Sequence, residues 1–110
     1  MSATTQEHAQ MLANRVRKNA KKRRKWAAKV PTTAYRIYDR DIPEVPVVID
    51  RYGDHLHIAD QRYDARIEEH SEEWFDFVVG AAAASLQIPH EQVHTKRRER
   101  QKGTEQYEKL

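Results

Sequence analysis

Cysteine is absent from the 110 residues, which excludes disulfides and thiolate metal sites and fits a soluble, cytoplasmic protein. Glycine occurs three times, at Gly53, Gly80 and Gly103, each alone. A phosphate-cradling, dinucleotide or S-adenosylmethionine loop needs clustered glycines, because the backbone must approach the ligand closely. No such loop can be drawn, so no nucleotide-like cofactor is expected on these residues. No apolar run approaches the length that spans a bilayer, and no signal-peptide pattern opens the sequence, so no membrane partner is expected. Acidic residues are missing altogether between His8 and Tyr38.

That last gap is filled with the opposite charge. Nine Lys or Arg side chains lie between Arg15 and Lys29. Leu12, Val16, Ala20 (with Asn19 beside it), Trp26, Ala27 and Val30 recur within this charge at steps of three and four, which puts them along one side of a helix. The spacing predicts a basic helix over 6–29, ended before Pro31 because a proline disfavours helix in the residue before it. Residues 1–5 read as a disordered start, with Thr4 or Thr5 available as a cap. A helix of this kind docks by a narrow stripe and presents its charge to something negative. A plain solvated face is the competing explanation of any charge run. Here the unbalanced charge runs for several turns beside an aromatic, which favours nucleic acid.

The net charge of +3 conceals a segregation. Residues 1–38 carry ten bases and one acid, residues 39–91 four bases and thirteen acids, and residues 92–110 six bases and three acids. Two basic ends flank an acidic middle, and a fold that brings the ends to one face would orient the molecule on a polyanion. At this length one domain with a modest core is expected over 1–110.

Strand formers cluster in 33–39, with Tyr35 and Ile37 expected on one face and Arg36 and Tyr38 on the other. The two prolines of 41–46 predict a stiff, extended connection. Residues 47–50 and 55–59 flank Arg51-Tyr-Gly-Asp54, a hairpin turn with glycine available for positive φ. Strands are thus expected within 33–59. A second helix is expected over 66–87, with Ile67, Trp74, Val78, Ala82 and Leu86 on one side and Glu68, Glu69, Glu72, Glu73 and Asp76 colouring its first half acidic. Gly80 and the alanines after it would allow close approach to the sheet. A basic strand and polar tail complete 92–110. The predicted class is α+β, in the order α-β-β-β-α-β, with a small antiparallel or mixed sheet packed by two helices.

Few residues invite catalysis. His55 and His57 share a strand face and His94 lies on another strand, so three imidazoles could meet around zinc, but no fourth ligand has the required spacing and half-buried hairpin histidines explain them better. Acid pairs such as Glu69 with Glu73, or Glu72 with Asp76, read as a solvated helix face. No catalytic and no metal-binding residue is assigned. Tyr35, Tyr38 and Tyr52 could present rings for base stacking, although strand tyrosines packed on a helix are commoner. Trp26 reads two ways: its ring edge could anchor the basic helix to the sheet and leave the neighbouring Arg23, Arg24 and Lys25 free, or the ring could stand open beside them. Trp74, Phe75 and Phe77 read as core.

Four stretches carry a resemblance: residues 12–22 (LANRVRKNAKK) with Lys25-Trp-Ala, 35–44 (YRIYDRDIPE), 48–54 (VIDRYGD) and 96–110 (KRRERQKGTEQYEKL). Together they are similar to the segment that precedes the catalytic domain in the K half of the bifunctional large-subunit rRNA methyltransferase K/L family. The resemblance runs from about Leu12 to Leu110 and is weakest over the second helix. It implies an enzyme that methylates guanine N7 of 23S rRNA with S-adenosylmethionine, and a neighbouring Rossmann-type methyltransferase domain that holds the cofactor loop and catalytic residues. Neither is among these residues. What it implies here is an accessory domain that packs beside the methyltransferase domain and helps to hold 23S rRNA.

The expected RNA contacts are Arg15, Arg17, Lys18, Lys21, Lys22, Arg23, Arg24 and Lys25 on the helix, extended by Lys96, Arg97, Arg98, Arg100 and Lys102. Such contacts position RNA without reading its sequence. Two competing readings stand beside this one. A free-standing RNA-binding module is suggested by the α-β-β-β-α order of double-stranded-RNA-binding domains, without their loop signature. A homodimer would dock the basic helix on the acidic helix of another copy.

Overall fold

The computed structural model describes residues 3–30, 32–61 and 72–97. Helix α1 (Ala3–Lys29) is 27 residues long, or ~40 Å at 1.5 Å per residue. It begins at Ala3 rather than Gln6, so the part of the expected disordered start that is described is helical. The reason is burial: Thr5 and His8 extend the inward stripe of Ala9, Leu12, Ala13, Val16 and Ala20 back by a turn. Among the described residues, no helix is long and apolar enough to cross a membrane.

Strands β1 (Ala34–Asp39), β2 (Val47–Tyr52), β3 (His55–Asp60) and β4 (Val93–Lys96) form one sheet in that spatial order. The first three are antiparallel neighbours, whereas β4 runs parallel to β3, so the sheet is mixed. A parallel neighbour needs a crossover, and helix α2 (Glu72–Ser85) lies between β3 and β4 in the chain. Both helices cover one face: α1 and α2 pack on each other, α1 lies over β1, and α2 touches β3. The α+β class, the element order and the pair of helices are therefore as predicted. Residues 66–71 of the expected second helix lie outside the described residues, as does the tail beyond Arg97. The expected basic strand is short, because the chain leaves the sheet after Lys96.

One buried polar contact joins the helices. The Trp74 indole N–H donates to His8 Nδ1 at 3.0 Å, with both side chains in the core and their rings edge-to-face. Around it pack Leu12 and Val16 of α1, Phe75, Val78 and Ala82 of α2, and Ile49, Leu56 and Ile58 of the sheet. Truncating a fully buried leucine in such a core costs about 2–5 kcal/mol.

Strand β1 departs from simple alternation. Its pairing with β2 slips between Arg36 and Tyr38, leaving Ile37 without a partner, and this bulge turns both Ile37 and Tyr38 into the core. Tyr38 is therefore 1% exposed rather than on the face of Arg36. The connection after β1 is a turn, not an extended rod. Val45 N–H donates to the Ile42 carbonyl at 2.9 Å, with Pro43 at the position where its fixed φ suits a β-turn. The Tyr38 hydroxyl sits inside that turn, donating to the Val45 carbonyl at 2.7 Å and accepting from Ile42 N–H at 3.1 Å. The β2–β3 hairpin lies where expected but its turn is tighter: Arg51 and Tyr52 stay in β2, and Gly53, at φ +60°, sits in a two-residue loop closed by Tyr52 opposite His55.

Helix α2 ends in a Schellman arrangement. Ile88 N–H reaches the Ala83 carbonyl and Gln87 N–H the Ala84 carbonyl, while Gln87 takes φ 56° and Ile88 is buried. Gly80, by contrast, faces open space, and a methyl added there would touch nothing within 4 Å. It does not mediate the expected close approach to the sheet.

Two predictions follow from these local conformations. Gly80→Ala should raise stability by about 1 kcal/mol through helix propensity, and Gln87→Gly by about the same amount by relieving a left-handed side-chain residue; urea melts measure both. Burial pushes the Tyr38 phenol from its ordinary value up to about 12. Its proton is therefore held more tightly in the folded state, and stability should fall as pH rises from the ordinary phenol value toward 12. Tyr38→Phe should cost about 1–2 kcal/mol at neutral pH and flatten that alkaline limb in a pH series of melts.

Candidate nucleic-acid interface

The apolar stripe of α1 gives out at Ala20. From Lys21 to Val30 every side chain is exposed except Ala27, so the last turns of the helix carry their charge into solvent. Lys18, Lys21, Lys22, Arg23, Arg24 and Lys25 are all exposed, and among the described residues none of them is paired with an acid. Trp26 is 45% exposed, so it does not anchor the helix to the sheet; the neighbouring Ala27 is the buried residue of that turn. An aromatic ring set among Lys22, Arg23 and Lys29 is a surface suited to phosphate and base.

A polar cluster fixes the base of this projection. The Asn19 amide donates to the Ile37 carbonyl and to Asp41 Oδ2, each at 2.9 Å. Ile37 is the residue the bulge leaves out of register, so Asn19 meets a carbonyl at the irregular point of the ladder. Arg15 donates to the same Asp41 oxygen at 3.1 Å, and Asp39 N–H donates to Asp41 Oδ1. Desolvation alone would raise the Asp41 pKa, but the hydrogen bonds from Asn19, Asp39 and Arg15 outweigh it and hold the carboxyl below its ordinary value. Arg15 is thereby tied to the body of the domain. Arg17 is held along the helix by donating to the Asn14 side-chain oxygen Oδ1 at 3.2 Å. Asn19 and Asp41 were not picked out by sequence reasoning. Their signal was faint: an amide beside the apolar stripe, and an acid two residues before a proline.

The second predicted basic segment lies elsewhere. Lys96 ends β4, at the sheet edge opposite β1, so it does not continue the α1 track. Arg97 pairs with Asp76 of α2 and sets its guanidinium 5.1 Å from the Phe75 ring centroid. The hydrogen bond to Asp76 raises the Arg97 pKa. Arg98, Arg100 and Lys102 lie outside the described residues. Among the described residues the fold thus keeps the two basic segments apart rather than merging them on one face.

The sheet face away from the helices is open. Alternation sends Val48, Asp50 and Tyr52 of β2 to this side, and the register sets Asp50 between Arg36 and His57, and His57 beside His94. Arg36 clasps Asp50 with two nitrogens, at 2.8 and 3.3 Å, and this contact raises the Arg36 pKa. His55 Nδ1 lies 3.0 Å from His94 Nε2, so one of the two rings donates and the other accepts. Among the described residues, no group of three or more His, Asp or Glu side chains has the geometry to hold a metal ion.

No protein-family model matches this chain. Individual proteins do. The chain is 43% identical over 105 residues to "Ribosomal RNA large subunit methyltransferase K/L" of Alcanivorax borkumensis, covering 94% of this chain and 15% of that protein. It is 48% identical over 101 residues to "Ribosomal RNA large subunit methyltransferase K" of Neisseria meningitidis serogroup B, covering 88% of this chain and 28% of that protein. A Marinomonas K/L protein matches at 43% over 103 residues, covering 93% of this chain and 14% of its own length. The chain therefore spans between about one-seventh and somewhat over one-quarter of the curated relatives it matches. Because the K protein carries the matching segment without the L name, the likeness belongs to the K portion.

The Asp41 cluster makes its own prediction. A carboxyl depressed by its partners contributes stability above its ordinary value, and that contribution is lost as pH falls through the lowered folded value. Asp41→Asn should therefore lower stability by about 1–2 kcal/mol at neutral pH, and make the loss on acidification shallower than in the parent. Thermal melts between neutral pH and the acid limit measure both effects.

Proposed function

We propose that this chain, which corresponds over about nine-tenths of its length to a small segment of the ribosomal RNA large subunit methyltransferase K/L family, is an accessory RNA-binding domain of a 23S rRNA (guanine-N7) methyltransferase. The observation that carries the reading is the exposed, acid-free basic half of α1, seated on a packed domain by the Asn19–Asp41–Arg15 cluster. Charge held out in this manner meets a polyanion at little cost in reorganisation, because the helix is already formed and fixed at its base.

In this reading Lys18, Lys21, Lys22, Arg23, Arg24 and Lys25 contact phosphates directly. Arg15, tied to the body through Asp41, and Arg17, held along the helix by Asn14, contribute through their field, and Lys96 acts at a separate edge. Phosphate contacts set register and orientation; they do not choose a base. The choice of guanine, the S-adenosylmethionine site and the methyl transfer then belong to a methyltransferase domain beside this one, acting in the cytoplasm. The segment alone is inactive as an enzyme, since its separated glycines form no cofactor loop.

The competing readings meet specific obstacles. A double-stranded-RNA-binding domain would have the α-β-β-β-α order alone, whereas here a fourth, parallel strand extends the sheet beside β3. A homodimer through basic and acidic helices would use Asp76, which Arg97 of the same chain already engages.

Reversing Arg23 and Arg24 to Glu should weaken binding to a large-subunit rRNA fragment at least tenfold at low salt. It should also make the slope of log K against log salt shallower by about 1.5–2, the loss expected for two phosphate contacts. Unchanged binding would remove α1 from the interface. Light scattering on the same samples tests the dimer, which requires a mass that rises with concentration and falls in the charge-reversed variant.

A further inference from the structure

We propose that the open face of the sheet binds an unpaired nucleotide of single-stranded RNA, its base on the ring cluster of Tyr52, His57 and His94 and its phosphate at Lys96. This inference rests on the RNA-binding reading and adds to it a second site, on the side of the domain opposite the helices.

Four rings from three neighbouring strands meet on this face. The Tyr52 ring meets the His57 ring edge-on at 4.8 Å between centroids. His57 and His94 stack at 4.8 Å with 28° between their planes, and His94 and His55 stack at 5.2 Å with 23°. The His55–His94 hydrogen bond holds the stack in place before any ligand arrives, which removes part of the ordering cost of binding. Beside the rings runs a shallow groove of about 360 Å³, which borders Val48, Ala59 and Lys96. That volume falls within the range of small-ligand sites. The small Ala59 side chain, opposite both Val48 and Lys96, leaves room between the rings and the lysine.

The charges on this face suit a nucleotide. Asp50 is the acid bordering the groove, and Arg36 neutralises it through two hydrogen bonds. Lys96 is exposed and, among the described residues, is not paired with an acid, so it is free to take a phosphate. Tyr52 is 50% exposed, one of only three large hydrophobic side chains left open among the described residues. A surface meant for the core of a protein interface is depleted of charged groups. This one mixes rings with Arg36, Asp50 and Lys96, the combination of stacking platform and cation that single strands use.

The test uses the 110-residue chain with two fluorescent probes, an unstructured ten-nucleotide oligouridylate and a blunt-ended RNA duplex without unpaired bases. Tyr52→Ala with His57→Ala should weaken oligouridylate binding about tenfold, the lower part of the range for loss of one stacked base, and leave duplex binding unchanged. Tyr52→Phe, which keeps the ring, should restore most of the loss. Independently of any variant, the ring proton signals of His57 and His94 in the parent should shift on adding oligouridylate. Unmoved histidine signals, or unaltered oligouridylate affinity in the folded double variant, would overturn the proposal. Duplex binding that responds to Arg23→Glu with Arg24→Glu, together with no oligouridylate binding, would overturn this site and leave the helix interface standing. Binding of neither RNA would overturn both.

Discussion

The stripe that holds α1 to the rest of the domain is shorter than the helix, and much else depends on that mismatch. Up to Ala20 the helix has a partner for its inward side: Leu12 and Val16 pack in the core, and His8 accepts the indole N–H of Trp74. Beyond Ala20 only Ala27 is buried. A helix that continues past its own packing must be stable by other means, and here it has straight-chain Lys and Arg residues of good intrinsic propensity, with Lys29 in the last turn suiting the dipole. The polar cluster of Asn19, Arg15 and Asp41 stands where the apolar contact gives out, and supplies the last fixed point before the projection.

The two faces of the sheet divide in a similar manner. One is sealed by both helices and is apolar, with Ile49, Leu56 and Ile58 fully buried. The other is left open and carries imidazoles, a phenol, a clasped Arg36–Asp50 pair and Lys96. Period-two alternation in β2 and β3 produces both faces from the same twelve residues, since each step along the strand changes sides.

What could be read from the residues was whatever depends on near neighbours in sequence. Steps of three and four gave α1 and the core side of α2, and glycine between two alternating runs gave the hairpin. The charge segregation along the chain was also correct. Its spatial consequence was not, because the order of strands sets β4 at the edge away from α1. Tyr38 was assigned to the wrong side because strict alternation does not allow for the bulge at Ile37, whose carbonyl meets Asn19 from eighteen residues away. The turn after β1 escaped notice because two prolines suggest extension, while the Tyr38 hydroxyl supplies the partners that close it. Whether Trp26 anchors the helix or stands open could not be read from its spacing. Its turn lies beyond the end of the core, which no local pattern reveals. The proposed RNA contacts rest on exposure and charge, which the fold makes visible for α1 and Lys96.

The bulge in β1 has one more effect. An open sheet leaves unpaired N–H and C=O groups along both borders, which invite a strand from another molecule and so the growth of aggregates. Here β1 is interrupted at Ile37 and flanked by charged Arg36 and Asp39, and β4 is only four residues long and ends in a lysine. Neither border offers a long, regular, uncharged template. The extra residue that carries Tyr38 inward thus also spoils the outer rim of the sheet as a seed for fibrous assembly.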